Sequence, residues 1–91
     1  MSYKIQYSKD ADEAIANYKK SNPIAYNKIV RLIPELAEHP RYGTGHPEPL
    51  VGGQNITYSR RISGKDRIIY DVYDDIIVVL IVSVGRHYDD K

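Results

Sequence analysis

Ninety-one residues are enough for one domain spanning 1–91 around a single core and exclude a second lobe. With 13 basic and 12 acidic residues, net charge does not mark the chain as a nucleic-acid binder, so any such role has to come from local clusters. The absence of cysteine excludes a disulfide framework and a thiolate metal site. His39, His46 and His87 lack the i, i+4 spacing of a helical ligand pair, and neither a metal nor another cofactor is expected. No apolar run reaches the roughly 20 residues that span a bilayer, and Met1-Ser2-Tyr3-Lys4 leads into alternation instead of a signal core. The expectation is a soluble cytoplasmic protein without a membrane partner. All nine aromatic residues are tyrosine, which suits half-buried rings with wet hydroxyls or a surface that meets bases or another protein.

Tyr3, Ile5 and Tyr7 alternate with polar residues and predict a short strand. Ser8 or Asp10 can cap the helix that follows, in which Ala11, Ala14, Ile15 and Tyr18 recur on one face. Asn22-Pro23 ends that helix and starts another, with Asn22 as cap and Pro23 in the first turn. Tyr26, Ile29, Val30, Ile33, Leu36 and Ala37 form its apolar stripe, and Pro34 predicts a kink or a restart. Residues 39–54 hold three prolines and four glycines without periodicity, which predicts a long loop of the kind that is often functional. Three strands are then expected at 55–62, 67–74 and 76–84, joined by turns at Ser63-Gly64-Lys65-Asp66 and at Asp74-Asp75. Ile56, Tyr58 and Ile62 share one face of the first, and Ile68, Tyr70 and Val72 one face of the second. Bringing both sets to one side predicts Ile62 opposite Ile68, with Arg61 and Arg67 as diagonal neighbours on the other face. The fold class is α+β: a small antiparallel sheet in the order β-α-α-β-β-β, with two N-terminal helices packed on one face.

A few side chains in this frame can do chemistry. Glu48 lies between Pro47 and Pro49, which stiffen the backbone presenting it; by itself it also fits a solvated loop acid. Arg61 and Arg67 on one sheet face suit a phosphate, gripped by two guanidinium forks, or else pairing with Asp71. Arg86-His87-Tyr88 follows the most apolar run of the chain, so a cation, an imidazole and a phenol stand at the end of a rigid element. Together these groups fit RNA cleavage by its own 2′-OH, with Glu48 as base, His87 as acid and the arginines on the scissile phosphate.

Gly43-x-Gly45-x-Pro47-Glu48-Pro49-Leu50, Tyr58-Ser59-Arg60-Arg61-Ile62, Arg67-Ile68-Ile69-Tyr70 and Arg86-His87-Tyr88, in this order and spacing, resemble the YoeB/Txe toxins of the RelE superfamily. The resemblance covers nearly the whole chain. It implies a RelE-like fold and ribosome-dependent cleavage of mRNA in the A site, leaving a 2′,3′-cyclic or 3′-phosphate end. It implies Glu48 as general base, His87 as general acid, Arg67 as main phosphate stabiliser and Tyr88 as the residue orienting the substrate. Arg61 and Arg60 are implied as RNA and phosphate contacts. The partners it implies are a YefM/Phd-like antitoxin, the ribosome with its rRNA and mRNA, and operator DNA reached through the antitoxin. The assembly is a homodimer or a toxin–antitoxin heteromer. Val51 stands where the family usually has a lysine, and Asp89-Asp90-Lys91 extends past the usual His-Tyr end. These two departures motivate an alternative: a catalytically weakened binding module that pairs with an antitoxin and tunes operon repression. A ParE-like gyrase poison on the same fold fits less well, because it does not need Glu48 with His87-Tyr88.

Overall fold

The computed structural model describes residues 2–45, 47–50 and 56–86. Strand β1 (Lys4–Tyr7) is followed by helices α1 (Lys9–Ser21) and α2 (Pro23–Glu38), a two-residue strand β2 (Glu48–Pro49), and strands β3 (Thr57–Arg61), β4 (Asp66–Tyr73) and β5 (Val78–Arg86). The order in the single sheet is β1-β5-β4-β3-β2.

Both helices begin where the capping residues put them. The Ser8 hydroxyl accepts from the Ala11 amide at 3.0 Å, and acids in the first turn with lysines in the last suit the helix dipole of α1. Asn22 serves two helices: its amide donates to the Tyr18 carbonyl at 2.8 Å and its side chain accepts from Ala25 at 3.2 Å. Helix α2 runs through Pro34 without a break. Pro34 is exposed, so the carbonyl it leaves unpaired one turn earlier is on the side where water can serve it. The buried stripe of α2 is Ala25, Ile29, Leu32 and Leu36; Val30, expected inside, is 47% exposed.

The sheet is mixed and not purely antiparallel. The strands β2 to β5 form an antiparallel meander, and β1 adds to the free edge of β5 in parallel, with Ile5 beside Val79. Alternation assigns side chains to faces and says nothing about strand direction, which is why the parallel pair escaped it. The core lies between the helices and one sheet face: Ile29 and Leu36 meet Ile62, Ile68, Tyr70, Val72, Val79 and Ile81. The β3–β4 register also differs from expectation. Arg61 stands directly opposite Arg67, not diagonal to it, and Ile62 closes the hairpin by donating to the Asp66 carbonyl at 2.8 Å. A slip of two residues leaves every side chain on its expected face.

The ladder between β4 and β5 is irregular at one point. The pairing passes from Ile69–Ser83 to Tyr70–Ile81, so Val82 is an extra residue, a β-bulge. Val79 and Ile81 point into the core before it and Val84 after it, while Ser83 and Gly85 pair with β4 residues of the open face. The Ser8 hydroxyl that caps α1 also donates to the bulged Val82 carbonyl at 2.6 Å.

Candidate active site

The sheet face turned away from the helices is built from the odd-numbered residues of β3 and β4. Thr57, Ser59 and Arg61 lie there from β3, and Arg67, Ile69, Asp71 and Tyr73 from β4. Strand β2 adds to it: Glu48 pairs with Ser59 and therefore shares this face, and the Leu50 amide donates to the Thr57 carbonyl at 2.9 Å. One cross-strand row thus reads Glu48, Ser59, Ile69, Ser83, and the next reads Arg61, Arg67, Gly85. Strand spacing and rise place the Glu48 backbone roughly 8 Å from that of Arg61 and roughly 12 Å from that of Arg67. Long side chains reaching toward each other across these gaps can surround one phosphodiester. Gly85 leaves room beside Arg67, since a Cβ there would meet nothing within 4 Å.

Electrostatically the two ends of this face differ. Arg61 is exposed and Arg67 half-buried, and neither has an ion pair or side-chain hydrogen bond among the described residues. The expected competitor, Asp71, is otherwise occupied: it accepts from the Thr57 hydroxyl at 2.6 Å and from Tyr73 at 3.3 Å. Two guanidiniums facing each other across a strand pair repel unless an anion lies between them. The arrangement can hold a phosphate and set a carboxylate at its flank. Arg61 also borders a groove between α2 and the β3–β4 hairpin, with Lys28 and Arg31 at its edge and Leu32 and Ile62 in its floor. The sequence reading missed these two cations. Their i, i+3 spacing on the outer side of α2 was the signal available.

Arg60 does not join the open face. Its side chain is wholly buried on the core side, where Nη1 donates to Glu35 Oε1 at 2.7 Å and Nη2 to the carbonyls of His39 and Tyr42 at 2.7 and 3.2 Å. The guanidinium also lies 5.8 Å from the centre of the Tyr70 ring. This corrects the expectation of an RNA contact: strand parity sends residue 60 inward with Tyr58 and Ile62, and both its terminal nitrogens donate within the fold, while Nε is buried without a hydrogen-bond partner among the described residues. Burial pushes the Tyr70 phenol above its ordinary range, with Arg60 pulling the other way, and the phenol donates to the Pro40 carbonyl at 2.6 Å. Of the remaining expected site residues, His87 and Tyr88 lie outside the described residues, as do Val51 and Asp89-Asp90-Lys91. Strand β5 ends at Arg86, one residue before His87 in the chain.

Comparison with known proteins places the chain in a family. Residues 7–88 match the model of the YoeB-like toxin of bacterial type II toxin–antitoxin systems. A curated Toxin YoeB from Streptomyces coelicolor is 34% identical over 85 residues, covering 93% of this chain and 99% of the relative. Among solved structures, a YoeB/ParE toxin from Agrobacterium tumefaciens superposes with a TM-score of 0.85 at 26% identity, over 93% of this chain and 99% of that one. The toxin in a heterotetrameric YoeB–YefM toxin–antitoxin complex from Staphylococcus aureus gives 0.79 at 28% identity, over 97% and 100%. A match over nearly the full length establishes that the chain belongs to the YoeB-like toxins of type II toxin–antitoxin systems.

Proposed function

We propose that the chain is a ribosome-dependent endoribonuclease that cuts mRNA in the A site and so blocks translation. The observation that carries this reading is the shared open face: Glu48 stands one row from two mutually opposed arginines that have no acidic partner among the described residues. Glu48 takes the proton of the 2′-OH, whose oxygen attacks the adjacent phosphorus. Arg67, with Arg61 in support, stabilises the negative charge that grows on the phosphoryl oxygens. His87 gives a proton to the departing 5′-oxygen, and Tyr88 orients the substrate; both roles come from the family pattern. The products are a 2′,3′-cyclic phosphate, which water can open to a 3′-phosphate, and a free 5′-OH. Base, acid and cations suffice for this reaction, and no step calls for a metal.

The partners follow from the same reading. The chain pairs with a YefM/Phd-like antitoxin, as its relative from S. aureus does with YefM, and reaches operator DNA through that partner. It acts in the cytoplasm, where ribosomes are, and no helix of the described residues is long and apolar enough to cross a membrane. The test is cleavage of a defined mRNA on programmed ribosomes, with the new 5′ ends mapped. Wild-type protein should create ends at the A-site codon, and Glu48→Gln should slow this about 10²–10⁴-fold, as loss of a general base does. Folded wild-type protein that makes no such ends, or a Glu48→Gln variant that cuts at the wild-type rate, overturns the reading. No ends together with intact antitoxin binding would identify the weakened binding module instead.

A further inference from the structure

We propose that the pair formed by buried Arg60 and half-buried Glu35 is a positioning device for Glu48, locking the segment that leads into β2 against α2 and β3. The inference rests on Glu48 being the general base and adds the residues that hold it in place.

The reacting atoms of a base and its substrate must approach to roughly 3–3.5 Å in a defined direction. Glu48 is exposed and belongs to a strand of two residues, too short to fix a side chain alone. It follows a Gly- and Pro-rich segment that has no helix or strand among its described residues, and such a segment would be free to drift if nothing held it. The anchoring comes from the Arg60 side chain, sent inward from β3, the strand that pairs with β2. Its guanidinium binds the carbonyls of His39 and Tyr42 and the carboxylate of Glu35. Glu35 in turn accepts from the Thr44 amide at 2.9 Å and the Thr44 hydroxyl at 3.2 Å. The carbonyl of Gly45 then accepts from the Arg61 amide at 2.7 Å. Segment 39–45 is therefore held at His39, Tyr42, Thr44 and Gly45, the last only three residues before Glu48.

Close packing reinforces the hydrogen bonds. Gly45 has φ 87°, and a Cβ there would stand 2.6 Å from the Arg61 carbonyl oxygen and 2.7 Å from Arg60 Cγ. Only glycine lets the segment lie so near β3. Neighbouring residues of one strand thus divide the labour: Arg61 turns its side chain to the open face while Arg60 grips the loop that delivers the carboxylate to that face. A buried guanidinium is a costly way to fill a core, and a well-packed apolar residue usually serves stability as well. Its fork does what an apolar residue cannot, which is to fix carbonyls at chosen distances.

The test uses full-length protein, programmed ribosomes and a defined mRNA. Two variants disturb the anchor differently: Arg60→Lys keeps the charge but loses the fork, and Gly45→Ala moves the segment without altering any charge. Each should lower the cleavage rate at saturating ribosomes about 100-fold, the order expected of a displacement near 1 Å, and leave the half-saturating ribosome concentration unchanged. Neither should slow the Glu48→Gln protein further, because a misplaced base and a missing one are the same defect. The inference is overturned if the folded variants, checked by circular dichroism, cut at the wild-type rate. It is equally overturned if they raise only the half-saturating concentration, or slow Glu48→Gln by the factor they impose on wild type. Should Arg60→Lys fail to fold, Gly45→Ala decides alone. Glu48→Gln cutting like wild type would instead sink the assignment of the base.

Discussion

Replacing Arg61 by glutamine should make the free protein more stable at low salt while weakening its action on RNA. Arg61 and Arg67 are direct cross-strand partners with no acidic neighbour to separate them among the described residues. With the two charges about 6 Å apart in mostly aqueous surroundings, Coulomb's law gives a repulsion of about 0.7 kcal/mol. This agrees with the 0.2–1 kcal/mol scale of directly opposed side chains in sheets, about 0.5 being a fair mean. For a domain of this size about 0.5 kcal/mol corresponds to about 2–4 °C in Tm. Thermal unfolding followed by circular dichroism would read it: Arg61→Gln should melt above wild type in dilute buffer. The gap should narrow in about 1 M salt, where the Debye length falls to about 3 Å. Inorganic phosphate should narrow it at lower concentration than chloride by stabilising wild type selectively. If Arg61→Gln melts below wild type in dilute buffer, the guanidinium has a stabilising partner and the anion-site argument fails.

Two further predictions concern stability. Ile77 is a β-branched residue at φ 56°, in the turn between β4 and β5, where the left-handed region costs about 1–2 kcal/mol. Ile77→Gly should raise Tm by several degrees, and a fall would show that its partly exposed side chain contributes more than the strain costs. Asp74 accepts from the Tyr3 phenol and from Arg41, each at 2.6 Å, and these two bonds hold its carboxyl below the usual range. A carboxyl depressed by folding stabilises above its unfolded pKa, and the gain fades as pH falls through the folded value. Asp74→Asn should therefore melt below wild type at neutral pH and converge with it in strong acid; a constant gap across the pH series would rule out the charge as the cause.

Much of the scaffold was legible because its signals are local. Ser8 and Asn22-Pro23 start helices by satisfying orphan amides within a turn, and this needs no tertiary information. Alternation assigned Ile62, Ile68, Tyr70 and Val72 to the core face, and with that it put Arg61 and Arg67 on the other. It could not see the two-residue slip that makes the arginines direct partners, since such a slip changes no side chain's face. Nor could it see β1 joining β5, a pairing between opposite ends of the chain. Arg60 faces the core because the parity that turns Tyr58 and Ile62 inward also turns it inward; a charged residue at a core position was the available sign of an ion pair with a buried guanidinium. Its partner Glu35 sits between Ile33 and Leu36 on α2, and only the packing of helix against loop shows that the two meet.

The added residue in β5 shifts the phase of the strand. Val79 and Ile81 give it cohesion on odd numbers; past Val82 the inward role moves to even-numbered Val84, and Gly85 comes to stand beside Arg67. Excising Val82 would leave those neighbours on their present faces, because Ile81, Ser83, Val84 and Gly85 would then alternate without interruption. What would vanish is the bend and the extra twist that a bulge gives its strand, together with the acceptor that ties the start of α1 to the sheet. The pairing would survive such a deletion while the heading of β5 changed. A residue that looks expendable in an apolar run therefore steers the end of the strand at Arg86.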